Sequence, residues 1–379
     1  MTGKKTLILT ALVVSILAWR SPFAQAASKG EAEAWRVLEE AEYAYENGEF
    51  GEALKLCDKA RLRHESTINS YISILTKAII ASEVKRAGDG LDAVYAILEK
   101  RNDSSALSVL DTLYLVKPPK NFGNSLQKLL SWLHGRIVYP EADILAAKVY
   151  EAEGELAVAR TFYEKAWQSR AFLEVPDDWY TIAYRMAEIS ERQGDYGAQE
   201  KYLLLVLTGD PVFGAPGKES QTLLAMMRTI RENSSLDKFF SLYRHDAMPA
   251  LSAYQDLSYY YYRLSGKRID RAFPVAVLAS CTSITALSRT VSLVDFQYVY
   301  RDFNDLLVRS GKSAKVIKWA KDNRIWDSFM LFAAIMYEDG ERDQAMALWD
   351  SLASYCPDAV VARKASGELL TRAPDRKLD

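Results

Sequence analysis

The sequence predicts an all-α fold, an α-solenoid (superhelix) built from antiparallel helical hairpins. Apolar residues recur at helical spacing along most of the chain, and no segment shows convincing strand alternation. A third observation is a repeated turn in which Gly is followed by an acidic residue. It occurs five times, at Gly48, Gly88, Gly154, Gly194 and Gly340. Such internal repetition is typical of stacked helical units.

Small residues stand at fixed distances from each of these turns. Seven residues before the Gly comes Ala41, Ala81, Ala147, Ala187 or Ala333, and five after it comes Ala53, Ala93, Ala159, Gln199 or Ala345. Nine residues after the Gly stand Cys57, Ile97, Tyr163, Leu203 and Trp349. Gly ends a helix in the left-handed conformation, and an acidic residue favours the start of the next helix. Each copy therefore predicts two helices that approach closely through Ala and bury their apolar faces against neighbouring hairpins.

These residues resemble the tetratricopeptide repeat (TPR) family in a divergent form. The small residues and the turn Gly match that family, and Pro211 and Pro357 stand where its second helices often end. The interval from Gly48 to Gly88 equals that from Gly154 to Gly194, and both are longer than the repeat unit of the family. The spacing suggests pairs of adjacent hairpins with helices longer than those of the family.

The start of the chain, 1–26, predicts a secretory signal peptide. Lys4 and Lys5 precede an apolar stretch over 6–19, and Ala24-Gln25-Ala26 forms a small-x-small cleavage site. Because this stretch is shorter than a bilayer span requires, cleavage is favoured over retention as an anchor, which stays open. We therefore expect an exported protein, with the bacterial periplasm as its location.

Three further regions follow the signal peptide: TPR-like repeats over 27–212, a middle helical region over 213–325, and a TPR-like hairpin with a charged tail over 326–379. Apolar spacing predicts helices over 105–116 and 125–138, separated by the breaker at 117–120. In the middle region it predicts helices over 221–232, 236–244, 248–264, 274–290, 292–308 and 314–323. Pro274 is expected in the first turn of its helix.

Composition argues against several function classes. Without 1–26 the chain has a mild excess of acidic over basic residues, which gives no electrostatic reason to expect nucleic acid. His64, His134 and His245 lie far apart and are expected at the surface or at helix ends, so no metal site and no cofactor is predicted. The three Cys are expected as buried thiols, and no Gly-x-Ser-x-Gly motif is present. Tyr254, Leu257, Tyr261 and Leu264 form a stripe at helical spacing that is expected to pack in the core.

The family resemblance implies a partner-binding groove lined by the first helix of each hairpin. Carrying over the groove positions gives Trp35, Leu38, Glu42 and Tyr45, then Ile144, Lys148 and Glu151, then Tyr184, Glu188 and Glu191, and finally Met330, Ala334 and Tyr337. These side chains mix aromatic and acidic groups. Such a surface suits a protein or peptide with apolar anchors and some positive charge.

The sequence thus predicts a non-enzymatic scaffold or adaptor of the cell envelope that binds a protein or peptide partner. One alternative is a small-ligand binding component of a transport system. Another is a peptidoglycan-active enzyme similar to soluble lytic transglycosylases, although the last hairpin and the charged tail are expected to leave no room for that family's catalytic domain. No stable membrane span is expected in the mature chain.

Overall fold

The computed structural model describes residues 29–81, 90–115, 125–215, 218–232 and 235–371. The regular secondary structure of this part is helical apart from a short antiparallel pairing of Gly214–Ala215 with Lys218–Glu219 and an isolated bridge between Gly90 and Ser125. The all-α fold class is therefore confirmed. The predicted signal peptide, the turn at Gly88 and the breaker at 117–120 lie outside the described residues.

The chain divides into two compact units, 1–182 and 183–379. The predicted domain boundaries at residues 213 and 326 both fall inside the second unit. In the first unit the helices are α1 (Lys29–Glu46), α2 (Phe50–Ala81), α3 (Leu91–Lys100), α4 (Ser104–Leu115), α5 (Leu126–Gly135), α6 (Pro140–Ala152) and α7 (Leu156–Gln168). The division falls within α8 (Asp178–Arg192).

Two hairpins, α1–α2 and α6–α7, share one core in the first unit. The turn glycines Gly48 and Gly154 both have a positive φ, as the repeat pattern predicts. The core is formed by α1, the start of α2 and α6 and consists mainly of small side chains, among them Ala34, Ala41, Cys57, Ala60, Ala142 and Ala146. Small side chains let the helix axes approach closely, so the second hairpin lies directly against the first.

Helix α2 is a single helix of 32 residues, although the repeat pattern placed the end of one hairpin and the start of the next within it. Its C-terminal half, from Ile68 to Ala78, forms a second core with α3, α4 and α5. The predicted small contact at Ala93 is exposed, and Leu91, Val94 and Leu98 face this core instead. Helices α3–α5 therefore form an insertion on the extended α2, and the hairpin that packs on α1–α2 is α6–α7 rather than the one predicted around Gly88.

The second unit begins within α8 and continues, over its described residues, through α9 to α18. These helices are α9 (Tyr196–Leu207), α10 (Gln221–Arg231), α11 (Leu236–Leu242), α12 (Leu251–Tyr259), α13 (Ile269–Val294), α14 (Phe303–Ser310), α15 (Ala314–Asp322), α16 (Ile325–Asp339), α17 (Arg342–Tyr355) and α18 (Ala359–Thr371). Gly194 and Gly340 have the predicted positive φ. Asp195 caps α9 by accepting a hydrogen bond from the backbone NH of Ala198.

The centre of this unit is α13, a helix of 26 residues that packs against α10, α12, α14, α15 and α16. Every residue from Ala272 to Ile284 is buried. Among the described helices, α13 is the one that is long and apolar enough to cross a bilayer, and 56% of its most apolar window is buried in the protein. Length and composition alone do not separate a membrane span from a core helix, and the cover by five neighbouring helices accounts for the apolar sequence of α13.

Two predictions for the middle region were wrong in detail. Pro274 lies inside α13 rather than in its first turn, because the helix already begins at Ile269. Residues 292–308 do not form one helix: α13 ends at Val294, and the next helix begins at Phe303. The new start is set by Asp302, whose carboxylate accepts a hydrogen bond from the backbone NH of Asp305 at 2.7 Å.

The tyrosine stripe is buried as predicted at Tyr254, Leu257 and Tyr261, but Leu264 is 46% exposed. A π-helical turn over Tyr260–Leu264 continues α12 and explains the difference. This wider turn shifts the phase of the following side chains, so Tyr262 is buried and Leu264 turns towards solvent.

A matched pair of substitutions tests the turn glycines. Gly340, between α16 and α17, has a φ of 111°, so Gly340→Ala should lower the free energy of unfolding by about 1–2 kcal/mol through strain at the new Cβ. Gly367 lies inside α18, and nothing lies within 4 Å of a Cβ added there, so Gly367→Ala should raise it by about 0.5–1 kcal/mol. Urea unfolding followed by circular dichroism measures both. Equal effects of the two substitutions would contradict this account of the turn.

Candidate functional site

The predicted groove positions on α1 divide into core and surface residues. Leu38 is 7% exposed and belongs to the shared core of the two hairpins, so its side chain is not available to a partner. Trp35, Glu42 and Tyr45 are half-buried, and the ring of Tyr45 lies 6.0 Å from that of Phe50. Three side chains on α1 therefore remain partly accessible.

On α6 the predicted residues present one exposed and two half-buried side chains. Lys148 is exposed, whereas Ile144 and Glu151 are half-buried. The Tyr163 hydroxyl donates a hydrogen bond to the Glu151 carboxylate at 3.2 Å, which holds Glu151 against α7. Since α1 and α6 are in contact, the accessible residues of both helices lie on neighbouring first helices.

The first turn of α8 adds residues that the groove prediction missed. Burial raises the pKa of Asp178, and the positive charge of Lys148 on α6 partly opposes this rise. Trp179 follows Asp178 and stacks on Tyr180, with ring centroids 3.7 Å apart. Trp179 also meets Trp167 edge-on at 5.6 Å. The sequence feature that could have identified these residues is the Asp-Trp-Tyr triplet at the start of a predicted first helix.

We use the name first-helix face for the accessible groove residues predicted on α1 and α6, together with three residues of the first turn of α8. It comprises half-buried aromatic, acidic and apolar side chains and one exposed cation: Trp35, Glu42, Tyr45, Ile144, Lys148, Glu151, Asp178, Trp179 and Tyr180. Such side chains can stack on apolar groups and pair with charges.

In the second unit, the predicted groove residues at the end of α8 serve mainly internal contacts. The Tyr184 hydroxyl donates to the Pro249 carbonyl at 2.7 Å and accepts from the backbone NH of Ala253 at 3.1 Å, which holds the start of α12. Glu188 is exposed and pairs with Arg185 at 2.7 Å. Glu191 is exposed.

The last group of predicted groove residues lies largely in the core. Met330 and Ala334 are 5% and 2% exposed, because α12 and α13 pack against α16. Tyr337 is half-buried beside Trp349, with ring centroids 5.7 Å apart. This helix therefore offers little open surface at the predicted positions.

Surface or helix-end positions were predicted for the three histidines, but His64 is buried within α2, and His245 is buried just after the end of α11. His64 stacks on Tyr139 with ring centroids 4.5 Å apart, and its Nε2 lies 2.7 Å from the Arg136 carbonyl. Burial lowers the pKa of His64 to about 4, so its ring is neutral at pH 7. It therefore fastens α2 to the end of α5 as an uncharged group.

His245 belongs to a buried polar network with Asp210 and Tyr254. Its Nε2 donates to the Asp210 carboxylate at 2.6 Å, and the Tyr254 hydroxyl donates to the same oxygen. The other Asp210 oxygen accepts from the backbone NH of Val212 at 2.8 Å. Burial alone would raise the pKa of Asp210, but the hydrogen bonds from His245 and Tyr254 outweigh it and lower that pKa.

This network also connects separate backbone segments. The Thr285 hydroxyl accepts a hydrogen bond from the backbone NH of His245 at 3.1 Å and donates one to the Cys281 carbonyl. The pair therefore ties the turn after α9 to the segment before α12 and to α13. No group of three or more His, Cys, Asp and Glu suited to a metal ion occurs among the described residues.

The three thiols are free, and their environments differ. Cys57 and Cys281 are buried as predicted, whereas Cys356 is only partly buried, because it lies just after the end of α17. Burial raises the pKa of Cys57 and of Cys356 to about 12. Both stay protonated at pH 7, which is unfavourable for nucleophilic or redox chemistry.

Substitution of Asp210 tests the buried network. Asp210→Asn should lower the free energy of unfolding at pH 7 by about 1–3 kcal/mol, because it leaves a buried donor without its charged acceptor. Asp246→Asn is the matched control: its carboxylate is 58% exposed and pairs with Arg289, so it should cost less than about 1 kcal/mol.

The lowered pKa of Asp210 also fixes the sign of the pH dependence. Its contribution is complete above the pKa of about 3.9 that Asp has in an unfolded chain, and it is lost as the pH falls further. The difference between wild type and Asp210→Asn should therefore shrink between about pH 5 and about pH 2. A constant difference in urea titrations across this range would refute the role of the carboxylate charge.

Comparison with known proteins identifies a relative of this chain. No protein-family model matches the chain. A Treponema pallidum (strain Nichols) protein described as an uncharacterized protein is 38% identical to it over 335 residues, which are 88% of this chain and 89% of that protein. The chain therefore belongs to the same protein family as this Treponema pallidum protein.

Proposed function

We propose that this protein is a non-enzymatic scaffold or adaptor of the bacterial cell envelope that binds a protein or peptide partner along the first-helix face. The observation that carries the proposal is the shared core of the hairpins α1–α2 and α6–α7. Their stacking through small residues is what a TPR-like solenoid requires, and it places two first helices side by side.

The chemistry of the first-helix face supports a peptide-like partner. Trp35 and Tyr45 offer aromatic surface with low side-chain entropy, and Glu42 adds negative charge beside them. Lys148 contributes the exposed cation of the face, and its charge acts on Asp178. A partner segment with apolar anchors, basic groups opposite Glu42 and an acidic group opposite Lys148 would complement this arrangement.

Site-specific photocrosslinking tests the proposal. A photoreactive amino acid at position 148, in cells that express the protein, should give one defined crosslinked product. The same residue at position 43 is the control, because Tyr43 lies on α1 outside the first-helix face and is 70% exposed. Adding Glu42→Lys to the position-148 variant should reduce the product at least about ten-fold through like-charge repulsion.

The crosslinking outcomes separate a specific face from general adhesion. Equal products from positions 43 and 148, or a position-148 product that persists with Glu42→Lys, would reject the first-helix face as the binding site. If the position-148 variant keeps the mass of the protein alone after irradiation, no macromolecular partner binds there.

Export is the second part of the proposal and rests on the segment 1–26. A fusion of this segment to alkaline phosphatase, which is active only after export, should produce activity in bacterial cells. Replacement of Leu12 and Val13 by Asp should abolish it, because charges in the apolar stretch prevent membrane insertion. Activity that survives this change, or no activity from the unchanged fusion, would contradict the periplasmic location.

A further inference from the structure

The last residues of α13 and the segment that follows them present an unusual concentration of exposed apolar side chains. We call residues 293–299 the apolar loop. Its outward side chains are Leu293, Val294, Phe296 and Val299, which are 68%, 48%, 90% and 74% exposed. Large apolar groups in one short segment are unfavourable in water unless another surface covers them.

The apolar loop is held in place by its inward tyrosines. Tyr298 is 9% exposed, and Tyr300, just beyond the loop, is half-buried with the Arg244 guanidinium 4.1 Å from its ring centroid. Tyr298 and Tyr300 face the protein, whereas Val299 between them faces solvent. The exposed side chains are therefore presented on a supported segment.

A basic stripe follows in sequence. Cations recur every third residue on and beside α15, all of them exposed: Lys312, Lys315, Lys318, Lys321 and Arg324. The segment 309–324 holds six basic residues and one acidic residue, although the whole chain has a net charge of −2. This local excess is opposite in sign to the charge of the protein.

The N-terminal end of the stripe carries its uncompensated charge. Lys318 pairs with Asp322 at 2.7 Å, and Lys321 lies 4.0 Å from Asp358. By contrast, Lys312 and Lys315 make no ion pair within the described part of the chain. These two lysines therefore dominate the field of the stripe.

An ion pair joins the two features. Asp295, which lies between Val294 and Phe296 in the apolar loop, accepts a hydrogen bond from Arg309 at 3.2 Å. Arg309 stands three residues before Lys312, at the end of α14. The lysines without an ion pair therefore begin three residues along the chain from a contact with the apolar loop, which brings the two features together in the second unit.

We infer that this surface binds a bilayer of anionic phospholipids, with the apolar loop inserted at the headgroup boundary and Lys312 and Lys315 among the headgroups. Peripheral binding generally needs both apolar insertion and a basic patch, and the two occur together here. The composition favours lipid over protein, because lysine is depleted in protein–protein interfaces but is attracted to anionic leaflets. The inference is independent of the first-helix face and its partner.

Sedimentation with lipid vesicles tests the inference. The chain from residue 27 onward is suitable, because it keeps every described helix and lacks the apolar N-terminal stretch, which would bind vesicles by itself. It should bind vesicles of phosphatidylcholine and phosphatidylglycerol in equal parts at least about ten-fold more strongly than vesicles of phosphatidylcholine alone. The binding should weaken with added salt.

Two double variants and two matched controls locate the binding. Lys312→Gln with Lys315→Gln should reduce partitioning at least about ten-fold, since each lysine near an anionic surface contributes about a five-fold gain. Phe296→Ser with Val299→Ser should reduce it by a similar factor at low salt. The controls are Lys55→Gln with Lys59→Gln, and Leu62→Ser with Leu370→Ser, which change equally exposed side chains elsewhere and should have no effect. Thermal unfolding followed by circular dichroism verifies that all variants fold.

Three results would overturn the inference. Equal binding to both vesicle types would remove the role of the anionic headgroups. If the loop variant and the lysine variant both bind vesicles as the unchanged protein does, another surface makes the contact. The third result is a protein that does not bind vesicles and is a dimer in light scattering. If Phe296→Ser with Val299→Ser converts this dimer to a monomer, the apolar loop contacts a second copy of the chain.

Discussion

The constraint on which the hairpins depend is the close approach of two helices across small side chains. Ala41, Ala53, Ala147, Ala159 and Ala345 are all completely buried, and each stands at the predicted distance from a turn glycine. A larger side chain at any of these positions would separate the helix axes and open the core behind it. Tyr163 and Trp349, which stand nine residues after their turn glycines, are buried as well and add large side chains to the close-packed interior.

In the second unit, a different constraint acts on the same kind of hairpin. Helix α13 is apolar on nearly all sides and can be stable in water only when other helices surround it. The last hairpin provides part of that cover through α16, whose residues from Phe332 to Met336 are buried. The face of α16 that would line an open groove in a simple repeat array is therefore buried in the core.

The sequence was sufficient where a local signal determines local structure. The left-handed glycines, the buried alanines and most middle helices follow from spacing, because turn conformation and amphipathic periodicity are properties of neighbouring residues. It was insufficient where distant residues decide. The burial of His245 depends on Asp210, which is far from it in sequence, and no periodic pattern marks such a pair. Met330 was predicted on an open groove but is buried, because α13 packs against α16. The sequence pattern of α16 alone does not reveal this packing.

Helix α2 shows why equal spacing along a chain does not imply contact in space. Its first half contributes Cys57 and Ala60 to the core shared with α6, and its second half contributes Ile68 to Ala78 to the core of the insertion. One continuous helix therefore serves two cores, and the insertion can be placed between two hairpins without separating them. The interval from Gly48 to Gly88 follows the path of this helix rather than the distance between stacked units. Because stacking depends on side chains that meet across a core, residues that share a core are a firmer guide to repeat neighbours than the intervals between turns.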